Sequence, residues 1–564
     1  MAGSGVTQPA FGDERTARLA RNALFGAMVV SALAILVLGR SLSFWSDELE
    51  WLTFQDDFGI RGLVTPHGSH LMATNRIIYE GLPRLFGTSY MPFRLVAIVL
   101  LFACAWFVFV LVRRRLGGMV ALCPAIVLLF FGSAQDIALS PLGIPFTLSI
   151  ALGLAAFVTA ERGDRRGDVL TFLLLSASIL SHTFGTIIAI GVGVHLLLEP
   201  GARRRIWAVA IPLAAWFAWW VWARQFHQGV VTGEGLGAAP LRLVEAAGAA
   251  IEGAVGIPPQ FGHKSDLLET GFGILFDLIA VAGAGLLAIR IRRHGATSWL
   301  WAYITCALIF WAGIALADPS DREPATPRYL YFGAIMIVLI AAETTRGHRF
   351  GRRARRWLLA LFAVALVGNV AQLLYSVPGL NDDAAQVRSQ IGVMELDAEW
   401  IDPTVRVREL GAPAALEIAA SIGEIAAFDD GAGQLGFTPD EIGEQSEELR
   451  LGSDYVLTRA LDVALVPVPG RSPLPPADCT VHTPGADGYT KFPLAFGGNL
   501  IELGGPPGDP AATVEVGRFA DAPSVPIGEL AHGGRSAILI PDDGVPEHPW
   551  TARTTGRLRV CVPS

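Results

Sequence analysis

Long apolar runs, broken at intervals by arginine-rich turns, dominate the first two thirds of the chain. Eleven of them lie at about 22–39, 93–112, 119–133, 143–160, 169–181, 183–199, 206–223, 271–289, 297–316, 328–343 and 357–375, and they approach the ~20 residues with which a helix crosses a bilayer. The 119–133 and 169–181 runs are the shortest. Only Ser181, His182 and Thr183 separate 169–181 from the next run, which requires a tight turn. Between the first two runs, 74–86 alternates polar and apolar positions at helical spacing and reads as an amphipathic helix along the membrane surface. Long loops are expected at 40–92 and 224–270. Past residue 376 the pattern changes. Helical spacing runs through 412–428 and 438–450. From Tyr455 onward, short apolar alternations at 455–466, 489–504, 512–518, 535–540 and 556–562 are punctuated by Gly, Pro and Asp, as in a small antiparallel sandwich. The expected fold is mainly α. A tail at 1–21 precedes a transmembrane helix bundle of about eleven spans over 22–375, judged against that span length. An α+β domain over 376–564, containing a small β-sandwich, follows it.

Composition and charge set the environment. With 52% hydrophobic and 17% charged residues among 564, the apolar excess needs lipid. Residues 1–375 hold 31 Lys and Arg against 23 Asp and Glu, a net +8, whereas 376–564 hold 12 against 28, a net −16. Of the 31 basic residues, 21 fall in clusters at Arg15–Arg21, Arg113–Arg115, Arg162–Arg166, Arg203–Arg205, Arg290–Arg293 and Arg346–Arg356, in every second loop. The positive-inside rule then predicts eleven crossings, a cytoplasmic N-terminus and an extracytoplasmic C-terminal domain. The first run lacks a clean small-x-small cleavage site and reads as a retained anchor. Arg far outnumbers Lys, and with abundant Ala and Gly this fits a GC-rich bacterial genome, hence a bacterial plasma membrane. Separated basic clusters form no continuous stripe, so no nucleic acid is expected. Cys104, Cys123 and Cys306 lie in apolar runs. Cys479 and Cys561 are the only cysteines of the C-terminal domain, and a disulfide or two separate buried thiols are both open.

Candidate chemistry clusters near one membrane boundary. Asp47 and Glu48 follow the first run in Ser43-Phe44-Trp45-Ser46-Asp47-Glu48. A carboxylate there could take a proton from a hydroxyl or bind a divalent cation. The same residues also make a good helix N-cap with an acidic first turn. His67 and His70 could ligate metal, act as bases or bind phosphate, or be interfacial residues without a task. Asp136 and His182 fall at the same predicted outer level, as site residues or as boundary residues. Arg328 and Tyr329 open a late run, where the guanidinium suits a lipid phosphate and the pair also suits an interfacial anchor. In the C-terminal domain, Tyr489, Asp542, Asp543 and Trp550 are loose candidates for sugar contacts on a domain that could equally be a structural cap. No P-loop, Rossmann fingerprint, CxxC pair, GxSxG or HExxH is present. Charges are nearly absent from span centres apart from Asp277, which disfavours an ion-coupled transporter.

Three features resemble the GT-C superfamily of polytopic glycosyltransferases, which includes protein mannosyltransferase and aminoarabinose transferase relatives. Asp47-Glu48 follows the first span. The run from His67 through Pro83-Arg84-Leu85-Phe86-Gly87 to Phe93-Arg94-Leu95 and Arg113-Arg114-Arg115-Leu116-Gly117 is similar to the family's first outer loop and second span. Pro327-Arg328-Tyr329-Leu330 is similar to the Arg-Tyr motif of a late span. The resemblance covers most of 20–345. It departs from the family's Pro-Pro pair in the first loop, where this chain has Gly68-Ser69-His70-Leu71. It implies a polyprenyl-phosphate sugar donor, a glycan, lipid or protein acceptor, and membrane lipids as partners. Asp47 would be the base, with Glu48 supporting it or binding metal. Arg328 and Tyr329 would hold the donor phosphate, and His67, His70 and Asp136 would line the cavity, beside the candidate His182 at the same outer level. A divalent cation, Mg or Mn, and no metal at all are both compatible with it. The rival readings are a non-catalytic glycan- or lipid-binding scaffold and a lipid or polysaccharide transporter.

Overall fold

A computed structural model describes residues 14–53, 59–226, 233–257, 267–317, 323–348, 350–410, 420–468, 479–504, 511–541 and 547–562. The chain divides into two compact units. The first comprises Met1–Ser41, Asp56–Leu82 and Tyr90–Gly379; the second comprises Leu42–Gln55, Pro83–Ser89 and Leu380–Ser564.

The helices, in chain order, are α1 (Glu14–Leu38), α2 (Asp47–Thr53), α3 (Ile60–Val64), α4 (Ala73–Phe86), α5 (Met91–Leu116), α6 (Gly118–Leu129), α7 (Gln135–Leu139), α8 (Ile144–Ala160), α9 (Arg165–Ser181) and α10 (Phe184–Leu198). They continue with α11 (Trp207–Ala223), α12 (Gly233–Val255), α13 (Leu267–His294), α14 (Ser298–Ala315), α15 (Pro327–Thr344), α16 (Arg352–Leu396), α17 (Ile422–Ala432), α18 (Pro439–Gly443) and α19 (Glu447–Ala460). Among the described residues, eight helices are long and apolar enough to cross a bilayer: α1, α5, α8, α11, α13, α14, α15 and α16. A ninth crossing is possible through the pair Gly118–Leu129 and Gly132–Leu139, which bends by 42°. The remaining two predicted runs are α9, of 17 residues, and α10, of 15, whereas α8 and α11 reach spanning length with the turns before them, as Pro141–Ala160 and Arg203–Ala223. All eleven apolar runs are therefore helical, and the protein is a polytopic membrane protein.

Small and polar side chains bring the helices of the first unit together. Ser149 and Ser178 exchange hydroxyl-to-carbonyl hydrogen bonds of 2.9 and 2.7 Å between α8 and α9. A Cβ on Gly185 would lie 2.3 Å from the Ser178 backbone, so α10 can approach α9 only because that residue is glycine. At the α6–α7 bend, Gly132 lies against the Asn369 carbonyl of α16, and Ser133 donates to Gln372 at 2.7 Å. The 224–270 segment corrects the expectation of a long loop. It contains α12, which packs on α13, α14 and α15. Its Ala- and Gly-rich faces give close packing without the hydropathy of a span: Gly253 meets Ser133 and Leu330, and Gly333 meets Ala250.

The two ends of this bundle differ. At one end Arg115, buried at 2% exposure, donates to Glu343, to Glu161 at 2.8 Å and to the Tyr303 hydroxyl at 3.0 Å. Arg205 pairs with Asp168 at the same end. Leaving one such buried charge unpaired costs about 3–5 kcal/mol, which explains why the cluster is satisfied throughout. At the other end Arg94 donates to the Ile35 and Leu36 carbonyls at 2.6 and 3.1 Å and so closes the C-terminus of α1.

In the second unit, α17 packs against α2. Among the described residues, nine strands follow α19: β1 (Val466–Pro467), β2 (Cys479–His482), β3 (Tyr489–Pro493), β4 (Asn499–Leu503), β5 (Ala512–Gly517), β6 (Val525–Leu530), β7 (Arg535–Ile538), β8 (Thr551–Thr555) and β9 (Leu558–Cys561). They form a five-stranded sheet, β1-β7-β4-β9-β2, and a four-stranded sheet, β3-β8-β5-β6, with antiparallel pairing throughout. Phe492, Ile501, Val514, Ile538, Trp550 and Val560 are among their buried side chains. Cys479 faces Cys561 across β2 and β9, and the two form a disulfide. The 455–466 stretch is not a strand. Its first half lies in α19, which Ser446 caps by accepting the Leu449 N–H, and only Val466 at its end falls in a strand.

Candidate functional site

In the first unit the predicted histidines converge. His182 is the extended residue closing α9, with φ −171°, between Ser181 and the start of α10. Its ring lies 4.3 Å from that of His70, 4.7 Å from Phe146 and 4.6 Å from Phe184, and the residue is 4% exposed. His67 and His70 pair through two backbone hydrogen bonds of 3.1 and 3.0 Å. The reversal between them uses Gly68 at φ 54°, a conformation that glycine adopts without strain. His70 Nδ1 lies 2.6 Å from the Thr183 hydroxyl, and Thr74 donates to Ser181 at 2.7 Å. The start of α4 is therefore tied to the α9–α10 turn by two side-chain contacts.

Arg328, Tyr329 and Asp136 form a second group. Pro327 opens α15, and the Arg328 guanidinium lies 5.7 Å from the Tyr329 ring. Asp136 sits on α7, which packs against α15, and the charge of Arg328 acts on its carboxylate. Rings connect the two groups. Tyr329 meets Phe310 at 6.1 Å, Phe310 meets Phe332 at 4.8 Å and Phe184 at 5.5 Å, and Phe184 meets His182. A continuous line of side chains thus runs from His70 to Arg328 at the bundle end opposite the Arg115 cluster. Sequence reasoning missed Thr183, Thr74 and the aromatic connectors. The hydroxyls beside His182 were a signal, but Phe184, Phe310 and Phe332 look like any apolar span residues. Asn75, which follows the His67–His70 motif in the sequence, lies on α4. It is fully buried, and neither its amide oxygen nor its nitrogen has a hydrogen-bond partner among the described residues.

Asp47 and Glu48 belong to the second unit, in the first turn of α2. Glu48 is fully buried and accepts the Trp45 N–H at 3.4 Å, which satisfies one of the free donors at the helix start. Ser46 has φ 51° and sets the turn before it. Asp47 is half-buried. The helix-capping reading thus applies to Glu48, and Asp47 makes no such bond among the described residues.

No protein-family model matches the chain, and no curated protein matches it. Among solved structures it is similar to ArnT from Cupriavidus metallidurans in the apo state, with 13% identity and a TM-score of 0.42 over 75% of this chain and 91% of that one. A likeness of that degree carries no weight for activity, so the functional reading stands on the residues themselves.

The sandwich corrects one sugar-contact expectation. Trp550 is fully buried, with the Arg518 guanidinium 5.9 Å from its ring, and cannot meet a ligand. Tyr489 does line an open groove of about 480 Å³ with Thr483, Gly485, Ala486, Asp487 and Lys491. Arg553 covers its ring at 4.6 Å, and Lys491 pairs with Asp487 at 3.2 Å. Backbone and Lys491 contacts hold the Asp487 carboxyl below its ordinary range. Asp542 and Asp543 lie outside the described residues.

Proposed function

We propose that the protein is a membrane glycosyltransferase of the GT-C type, moving a sugar from a polyprenyl-phosphate donor to a cell-envelope acceptor on the extracytoplasmic face of a bacterial plasma membrane. The carrying observation is the line of side chains from His70 and His182 through Phe184 and Phe310 to Tyr329 and Arg328. It puts anion-binding and hydroxyl-binding groups at one end of a helix bundle, away from the paired arginines of the other end. Arginine-poor ends are extracytoplasmic by the positive-inside rule, which is where a lipid-linked sugar is used.

The chemistry follows from the groups. Arg328 presents a fork of donors that matches a phosphate, and Tyr329 adds a hydroxyl beside it. Asp47 takes the proton of the acceptor hydroxyl as that oxygen attacks the anomeric carbon. The bond from the sugar to the phosphate oxygen breaks with inversion, and the polyprenyl phosphate leaves with its charge held by Arg328. His67, His70 and His182 orient sugar hydroxyls, and Asp136 holds Arg328 in place electrostatically. Glu48 sets the α2 start that presents Asp47.

The test uses the full chain in lipid nanodiscs with a radiolabelled polyprenyl-phosphate sugar. Asp47→Asn is expected to lower transfer by about 10²–10⁴-fold with donor binding intact, the usual contribution of a positioned base. Arg328→Gln is expected to weaken donor binding about tenfold or more, as for a lost charge-assisted contact, and Arg328→Lys should recover part of it. Transfer by Asp47→Asn at the parent rate, in protein that melts normally, would remove the proposal. Chelation followed by Mg or Mn addition decides whether a cation is needed.

A further inference from the structure

We infer that the first unit carries a separate site for the phosphate headgroup of an anionic membrane lipid, in the cleft between α3 and the C-terminal end of α11. The inference does not depend on the transferase reading. The cleft has a volume of about 600 Å³, is open to one side, and is lined by Ile60, Arg61, Val64, Trp222, Gln225 and Phe226.

Its architecture is held from two directions. Trp219 on α11 donates its indole N–H to the Val64 carbonyl at 2.7 Å, and the Arg76 guanidinium donates to the Gly62 carbonyl. Thr65 closes α3 by donating both its N–H, at 2.9 Å, and its hydroxyl, at 2.8 Å, to the Arg61 carbonyl. A five-residue helix fixed in this way keeps Arg61 at the cleft wall. Among the described residues, the Arg61 side chain has no ion-pair partner and no acidic residue lines the cleft. Gln225 adds a neutral donor. A guanidinium with an amide beside it calls for an anion with planar or tetrahedral oxygens.

The remaining lining fixes the kind of anion. Ile60, Trp222 and Phe226 are exposed at 83%, 37% and 42%, and below them α11 continues as an outward apolar face through Phe217 and Val221. Only 22% of the apolar window of α11 is buried within the protein. The cleft therefore sits where a lipid-facing helix ends, with tryptophan at the level of the headgroups. A soluble anion would gain nothing from those walls. A lipid phosphate would place its charge on Arg61 and the first part of its chain on Trp222 and Phe226.

The experiment uses the intact protein in nanodiscs containing diazirine-bearing phosphatidylglycerol or the matching phosphatidylcholine, with labelled peptides mapped by mass spectrometry. Phosphatidylglycerol should label the peptide spanning Trp222–Phe226, about tenfold above phosphatidylcholine. Arg61→Gln should remove that preference, Arg61→Lys should retain part of it, and Gln225→Glu, which pairs Arg61 internally, should remove it without touching the arginine. Equal labelling by both lipids, or a preference that survives both Arg61→Gln and Gln225→Glu, would overturn the inference. Displacement by millimolar inorganic phosphate would assign the cleft to a soluble anion and overturn it equally.

Discussion

Individual polar residues in this chain divide by what surrounds them, and Asp454 shows how far that can go. It lies on α19 inside the second unit, where burial pushes its carboxyl up to about 6 from the ordinary 3.8. The Phe519 and Ala520 N–H groups, at 2.8 and 3.1 Å, and Arg518 pull the other way without cancelling the burial. The folded state therefore holds this proton more tightly than the unfolded chain. Stability from this group is full below pH ~4, falls as the pH rises towards 6, and is flat above that, by about 3 kcal/mol in all. Protection of the Phe519 and Ala520 amides, taken relative to the unfolded-chain exchange rate at each pH, should accordingly fall from pH 4.5 to 7 in the full-length protein, and Asp454→Asn should flatten that dependence. An unchanged slope in the variant would sink the assignment. Glu48 teaches a related lesson. Its neighbour Asp47 has the same charge, but only Glu48 is fully buried and bonded to a backbone donor of its own turn.

Helices here are specified more by where they can touch than by how apolar they are. The eleven apolar runs became helices because a bilayer leaves a backbone no other way to satisfy its donors. α12 escaped notice because small residues and four charges, Arg242, Glu234, Glu245 and Glu252, dilute its hydropathy. Its Gly248, Gly253 and Ala250 are what let it pack. In α19 the short apolar run at Tyr455–Leu457 looks alike in a strand and a helix, while the cap at Ser446 and the acidic pair after it point to the helix. Close approach also makes a sharp prediction. A methyl group on Gly132 would sit 2.0 Å from the Asn369 carbonyl oxygen, whereas one on Gly26 would meet nothing within 4 Å. Gly132→Ala should destabilise the detergent-solubilised protein by about 2 kcal/mol or more, as overpacking does. Gly26→Ala should leave the melting temperature unchanged or slightly raised. Equal melting temperatures for the two variants would count against the close contact.

Across the entire chain, the contrast between a net +8 over 1–375 and −16 over 376–564 argues for two environments. The Cys479–Cys561 bond adds chemistry to that argument, because such bonds persist in oxidising compartments. If the second unit lies outside the cytoplasm, protease added to intact cells should release fragments from 380–564 while an N-terminal tag stays protected. The released domain should shift in mobility on reduction. A protected C-terminal domain with free thiols would refute the sidedness. The bond closes a separation of 82 residues, so Cys479→Ser should cost about 4 kcal/mol by chain entropy.

Patterns of one dimension were legible in the order of residues alone. Apolar length gave the spans and alternate arginine clusters gave their proposed sidedness, while turn-bounded alternation picked out β3, β4, β5, β7 and β9 but not β2, β6 or β8. The individual polar residues His70, His182, Asp136 and Arg328 stood out as chemically costly near a membrane boundary. Their shared outer level followed from the predicted topology, but their contacts did not, because these link positions 70, 182, 310 and 328, and nothing local to any one of them encodes the others. The tight α9–α10 turn, the glycines that let helices meet, and the line of phenylalanines decided that His70 and Arg328 belong to one end of one bundle. Likewise only tertiary packing fixed the helix that carries Asp47, since α2 packs within the second unit against α17, hundreds of positions later in the chain.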